Sequence, residues 1–169
     1  MWIGAIRLVV QTKDAAFAGT DSTVQCVIMR DGHQLRVLNL DHSGEDDLER
    51  GTTRNFDYRG AKKMPRRNDQ TPELPEGIGQ DPMPYPDHGF EFSHGLKGHL
   101  TLKLRMTGDD MWIKDKVDLF VVFISRQPTS FDTEEWQEDS HWTHIASWTQ
   151  DVAMSTDSSE GTTTWNLLL

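Results

Sequence analysis

From Leu100 to Met106 every second side chain is apolar: Leu100, Leu102, Leu104 and Met106 alternate with Thr101, Lys103 and Arg105. Successive side chains of a strand point to opposite faces, so this order buries one face and wets the other, whereas a helix would scatter the same residues around its axis. The period of two recurs at Ile6, Leu8 and Val10, at Val24, Cys26 and Ile28, and more faintly at Leu35 and Val37 and at Trp142, His144, Ala146 and Trp148. The run VDLFVVFI, residues 117–124, is apolar on both faces and belongs in the middle of a sheet. No window shows a persuasive helical face; a single helical turn is expected at TEEWQED, residues 133–139. Short strands with one apolar face each predict an all-β chain folded as a two-sheet antiparallel β-sandwich.

A length of 169 residues suits a single domain, 1–169, with one full core. The strand pattern stops over residues 59–89, which hold all but one of the prolines; proline removes a backbone donor, so this stretch is expected to be a long Pro-rich loop insertion. Residues 125–169 form a Trp-rich C-terminal extension, in which STDSSEGTTTW (155–165) reads as a hairpin turn leading into a closing strand.

The formal charge of -10 repels nucleic-acid phosphates and suits cations or basic partners. No apolar run approaches the ~18 residues that a membrane span needs. The N-terminal stretch contains Arg7 and shows neither a basic leader nor a small-residue cleavage site, so a cytoplasmic location is expected. Cys26, the lone cysteine, lies in a strand pattern and is expected to be a buried structural thiol.

Three blocks, in order along the chain, suggest a relative. QTKDAAFAGTDSTVQCVI (11–28) resembles the opening of PLAT/LH2 domains, with a strand, a small-residue loop carrying Gly-Thr-Asp, and a second strand. DDLERGTTRNFDY (46–58) is similar to that family's Glu-Arg-Gly segment before a Phe-bearing strand, and LKLRMTGDDMWIKDKVDLFVV (102–122) to its strand, Asp-bearing loop and Trp. The resemblance covers about residues 5–58 and 90–124, and the Pro-rich insertion and the extension depart from it. It implies an eight-stranded β-sandwich that serves as a targeting module, with loops at one end that bind calcium and contact lipid or protein, and with no catalytic residues.

On that resemblance Asp14, Gly19, Thr20 and Asp21 of one loop and Asp109 and Asp110 of another are candidate calcium ligands. Calcium takes six to eight oxygens from carboxylates, carbonyls and waters, which loops supply more easily than strands. From residue pattern alone these acids read more readily as turn residues that bond local amides, and the resemblance brings the calcium reading level with that one. Asp46, Asp47 and Glu49 make a second acidic group, with Arg50 as a nearby pairing partner. Phe17 and Trp112 on the loops and Trp142 and Trp148 in the extension are the candidate partner-binding aromatics, each with core packing as its rival role. His141 and His144 fall on opposite faces of a strand, which defeats a shared zinc site.

Nucleophile elbows, phosphate loops and triad spacings are missing, so the chain reads as a non-catalytic binding or targeting module. A protein partner or self-association is the expected mode, with peripheral lipid contact the weaker one at this net charge. Two alternatives stand beside it: a structural subunit of a larger assembly such as a filament, shell or phage-like particle, and a carbohydrate-binding sandwich using the extension's tryptophans.

Overall fold

The computed structural model describes residues 2–40, 48–59, 90–91, 95–108, 110–128 and 134–169. The regular elements in them are strands. In chain order these are β1 (Trp2–Thr12), β2 (Thr23–Arg30), β3 (His33–Asn39), β4 (Thr53–Arg59), β5 (Phe90–Glu91) and β6 (Leu100–Thr107). They continue with β7 (Trp112–Pro128), β8 (Glu134–Glu138), β9 (Thr143–Trp148), β10 (Val152–Met154) and β11 (Thr164–Leu168). One sheet has the order β11-β6-β2-β3. The other runs β10-β7-β1-β4, with β5 added to β1 and both β8 and β9 added to β7. The chain is an antiparallel β-sandwich, as the alternation predicts.

The residues that alternate in sequence alternate in burial. On β6, Leu100, Leu102, Leu104 and Met106 are buried and Thr101, Lys103 and Arg105 are half-exposed. The register Cys26↔Leu104 and Ile28↔Leu102 sets the buried side chains of β2 beside those of β6. Trp165↔Leu104 and Leu167↔Leu102 bring β11 onto the same face. From the other sheet, Leu8, Val10, Trp112, Val117, Leu119 and Met154 are fully buried or nearly so. Burial pushes the Cys26 thiol up to about 12, which keeps it protonated and inert.

β7, which contains VDLFVVFI, pairs with β10, β1, β8 and β9, the central place that its two apolar faces require. The helical turn expected at TEEWQED is instead strand β8, in antiparallel register with β7 at Arg126↔Trp136 and Ile124↔Glu138. Ladder bonds to a long neighbouring strand override a weak local preference. STDSSEGTTTW departs from the expected hairpin as well, since it carries the chain from β10 in one sheet to β11 in the other. Arg59, the first residue of the expected Pro-rich insertion, ends β4; the rest of that insertion, residues 60–89, lies outside the described residues.

The chain divides into two compact units. One is drawn from Met1–Arg7, Asp57–Gly95 and Phe120–Ile145, and the other from Leu8–Phe56, Leu96–Leu119 and Ala146–Leu169. In the first, the Arg7 guanidinium donates to both oxygens of Asp57, at 2.6 and 2.5 Å, and lies 4.4 Å from the centre of the Trp142 ring. The second unit contains β2, β3, β6, β10 and β11 whole.

Lys114 breaks the rule that a strand's core face is apolar. It stands between Trp112 and Val117 with no exposed surface, and its ammonium donates to the Gln150 carbonyl. Its cross-strand partner is the buried Val152. Two half-exposed residues, Asp115 and Lys116, follow before burial resumes at Val117, so the alternation slips by one there. Burial lowers the Lys114 pKa below its ordinary 10.5, partly offset by Asp151 and Asp115. A cation with a depressed folded-state pKa costs stability at every pH below that pKa, and the cost lifts as pH climbs to the unfolded value of 10.5. Gln150 is exposed, so water can take over its carbonyl. Lys114→Met is therefore expected to raise stability at neutral pH by about 1 kcal/mol. In urea denaturation its advantage over the wild type should shrink as pH rises toward 10.5.

Candidate functional site

β6 ends where β2 begins, at the register pair Thr23↔Thr107. That pairing sets the loop leading into β2 beside the loop leaving β6, and the bonds between them are made by backbone and small side chains. The Asp21 N–H donates to Asp110 Oδ2 at 3.1 Å, and the Asp110 N–H donates to Ser22 Oγ at 3.3 Å. The Thr20 hydroxyl donates to the Asp110 carbonyl at 3.5 Å and accepts the Ser22 N–H at 3.0 Å. The Ile113 N–H closes the set on the Ala18 carbonyl at 3.0 Å.

A third loop, Leu48 to Gly51, joins these two. The Thr20 N–H donates to the Leu48 carbonyl and the Gly51 N–H to the Lys13 carbonyl, each at 3.3 Å. Gly19 makes this approach feasible: a Cβ there would stand 2.8 Å from the Arg50 backbone nitrogen and 3.1 Å from the Glu49 Cα. Arg50 Nε donates to Asp14 Oδ1 at 2.7 Å, joining the third loop to the first. Between the loops opens a hollow of about 280 Å³ that exposes Asp21, Glu49, Arg50 and Asp110, with Phe17 at its rim.

Phe17 is the exceptional residue here. It is 85% exposed, and its φ of +59° puts it in the left-handed region. That region is uncommon for a side chain of this bulk and costs roughly 1–2 kcal/mol. Its neighbour Ala18 is fully buried, and bonds from Ala18 N–H to Ala15 and from Ile113 N–H to Ala18 hold the backbone on either side of the turn. The ring gains almost no burial for this strain.

Beneath the loops runs a buried relay. The Trp112 indole N–H donates to Thr12 Oγ1 at 3.0 Å, and the Thr12 hydroxyl donates to the Leu48 carbonyl at 3.3 Å. Trp112 has no exposed surface, so it is a core residue and is removed from the candidate partner-binding set; its side chain turns inward to satisfy the indole N–H. Trp142 lies against Arg7, and Trp148 donates from Nε1 to the Leu168 carbonyl at 3.0 Å; both are half-buried rather than presented.

Of the candidate calcium ligands, Asp14, Gly19, Thr20, Asp21 and Asp110 are gathered at this end, and Asp109 lies outside the described residues. Asp46 and Asp47 lie outside them too, while Glu49 faces the hollow. Protein donors already meet part of this set. Asp14 already holds a guanidinium, one oxygen of Asp110 already holds an amide, and Thr20 is spent on its neighbours. Among the described residues no three His, Cys, Asp or Glu side chains stand close enough to share a metal.

Sequence reasoning missed two parts of this site. It paired Arg50 with its own acidic neighbours rather than with Asp14, 36 residues away. It also passed over Thr12, whose only signal was a polar residue on the buried face of β1.

No family model matches the chain. No curated protein matches it either. Among solved structures it is similar to the alpha toxin from Clostridium absonum, at 15% identity and a TM-score of 0.43, over 88% of this chain and 31% of the toxin. It is also similar to the LOX variant Delta413-417:GS, at 16% identity and a TM-score of 0.42, over 90% of this chain and 16% of that one. The chain thus spans less than a third of the length of either. At such scores the likeness carries no argument for fold or function, which rest on the sheets and loops themselves.

Two substitutions test the construction. Gly19→Ala pushes a methyl into the Glu49–Arg50 backbone and is expected to cost about 1–3 kcal/mol in chemical denaturation. Thr12→Val leaves the buried indole N–H unpaired and the Leu48 carbonyl with the Thr20 N–H alone, at about 2 kcal/mol, with Trp112 fluorescence reporting a loosened indole.

Proposed function

We propose that this chain is a PLAT/LH2-like, non-catalytic docking module that engages a basic protein surface with its loop end, using Phe17 as the apolar anchor. The observation that carries this reading is Phe17 itself, an exposed aromatic held in a strained backbone by bonds on both sides. Strain kept in a rigid loop, with no burial in return, points to a role outside the fold. Anchors of this kind, aromatic residues at the centre of a contact, carry most of the energy of protein association.

Charge chooses the partner. Asp21, Glu49 and Asp110 face the hollow, and the one cation there, among the described residues, is already opposed by Asp14. The chain's overall -10 adds long-range attraction for a basic surface and repulsion for an anionic membrane. A partner segment that pairs a Lys or Arg with a neighbouring apolar side chain would meet the acids and Phe17 together. Protein association is preferred to lipid contact for this reason.

Phe17→Gly separates docking from folding. Glycine adopts the left-handed conformation without strain, so the variant is expected to be as stable as the wild type or up to about 1 kcal/mol more stable. Losing an anchor that buries about 2 kcal/mol of apolar surface should weaken binding roughly thirtyfold. Fluorescence anisotropy with a Lys-rich peptide carrying one Leu, and with an acidic control peptide, measures this. Binding of the basic peptide that is lost in both Phe17→Gly and Asp21→Lys supports the reading. Equal binding by Phe17→Gly, or wild-type co-sedimentation with phosphatidylcholine vesicles but no peptide binding, overturns it.

A further inference from the structure

We infer that Arg50 is the resident cation of the loop end, holding together the loops that an added metal ion would hold in a calcium-dependent module, so that this end keeps its form without a divalent ion. The inference rests on the Asp14–Arg50 contact and the inter-loop bonds, and it is independent of what docks there.

Three acidic or carbonyl-bearing loops brought to one point need something positive between them. In this chain the requirement is met by protein donors. The guanidinium of Arg50 sits on Asp14 at 2.7 Å and ties the Leu48–Gly51 loop to the one that follows β1. Backbone amides do the remaining work: Asp21 on Asp110, Thr20 on Leu48, Gly51 on Lys13 and Ile113 on Ala18. The first three join two loops and the last ties the loop after β1 to the start of β7, which is what a shared ion would otherwise do. A guanidinium suits the place, because its planar fork presents several fixed donors and stays charged at every working pH.

The same contact disfavours a divalent ion. A calcium ion bound at Asp14 would stand ~4–5 Å from the guanidinium, and that repulsion alone weakens it by roughly twentyfold even at the dielectric of water. Displacing Arg50 is the alternative route, but it gives up the ion pair between the third loop and the first and leaves only backbone bonds to join them. Gly51, with φ of +70°, lies beside this pair: a Cβ built there would stand 3.5 Å from the Asp14 Cβ and 3.6 Å from its carboxylate.

Both halves of the contact are well exposed, with side-chain accessibilities of 56% for Arg50 and 77% for Asp14. An exposed pair contributes little to global stability. Its loss is therefore read locally. In Arg50→Gln the melting temperature is expected to move by no more than about two degrees. Amide hydrogen exchange at Thr20 and Gly51, which bond across loops, should speed up three- to tenfold, with unchanged exchange at Cys26 and Leu104 in the core. Arg50→Lys should recover part of the protection.

The metal arm uses the wild-type chain with calcium chloride at 2 mM and with a chelator. Exchange at Thr20, Gly51 and Ile113 and the melting temperature are expected to be the same in both. Calcium that slows exchange at these amides in the wild type, or that raises the melting temperature with a saturable calorimetric heat, overturns the inference. Unchanged exchange at Thr20 and Gly51 in Arg50→Gln overturns it equally. None of these readouts involves a partner, so a failure here is distinct from a failure of the docking experiment.

Discussion

The loop end hangs on one buried hydrogen-bond relay, from the Trp112 indole through the Thr12 hydroxyl to the Leu48 carbonyl. Each member needs the others. A buried indole N–H without an acceptor costs about 1–3 kcal/mol, and a hydroxyl is the one small group that accepts from the indole while donating onward. Thr12 is the last residue of β1 and Trp112 the first of β7, so the relay ties the ends of two strands and delivers Leu48 to them. Once Leu48 is fixed, its carbonyl accepts the Thr20 N–H as well, and the loop that carries Phe17 is placed.

This order of dependence separates what is rigid from what is offered. Thr20, Ala18 and Trp112 are buried, and all are satisfied by protein atoms. Asp21, Glu49, Asp110 and the Phe17 ring stand outward on the frame they make. Functional groups on loops that are themselves bonded from both sides lose less entropy on binding than groups on free loops. Of the exposed acids Asp110 also accepts the Asp21 N–H, and Arg50 at their edge limits the repulsion among them.

The two-sheet architecture was legible because a period of two is a direct consequence of the pleat; Leu100, Leu102, Leu104 and Met106 announce β6 and its buried face without any knowledge of neighbours. The centrality of residues 117–124 was legible for the same reason. What local pattern could not supply was pairing over distance. TEEWQED has no strong preference of its own, and only its register with β7 decides its state. Arg50 could be read as an ion-pairing residue, but its partner is selected by Gly19, whose missing Cβ lets the third loop touch the first. Trp112 could be read as a core residue or as a presented loop aromatic, with packing the favoured role; β7 begins at that residue and its ring is buried. Lys114 gave no signal at all, since a charged residue in a strand is ordinarily read as facing water.

Phe17 separates two kinds of explanation for the loop end. If stability alone governed position 17, a glycine would remove ~1–2 kcal/mol of backbone strain and forfeit almost no buried surface, because the ring is exposed. The chain does use glycine where the backbone demands it, at Gly51 and Gly108, both with positive φ, and at Gly19, where no side chain fits. An aromatic in the same loop, in a conformation that glycine would fill freely, therefore works against the fold that carries it. The strain is smaller than the roughly 2 kcal/mol that burial of the ring against a partner would return, so the residue becomes favourable only in association. That inequality, rather than the acidity around it, is what the proposed docking role rests on.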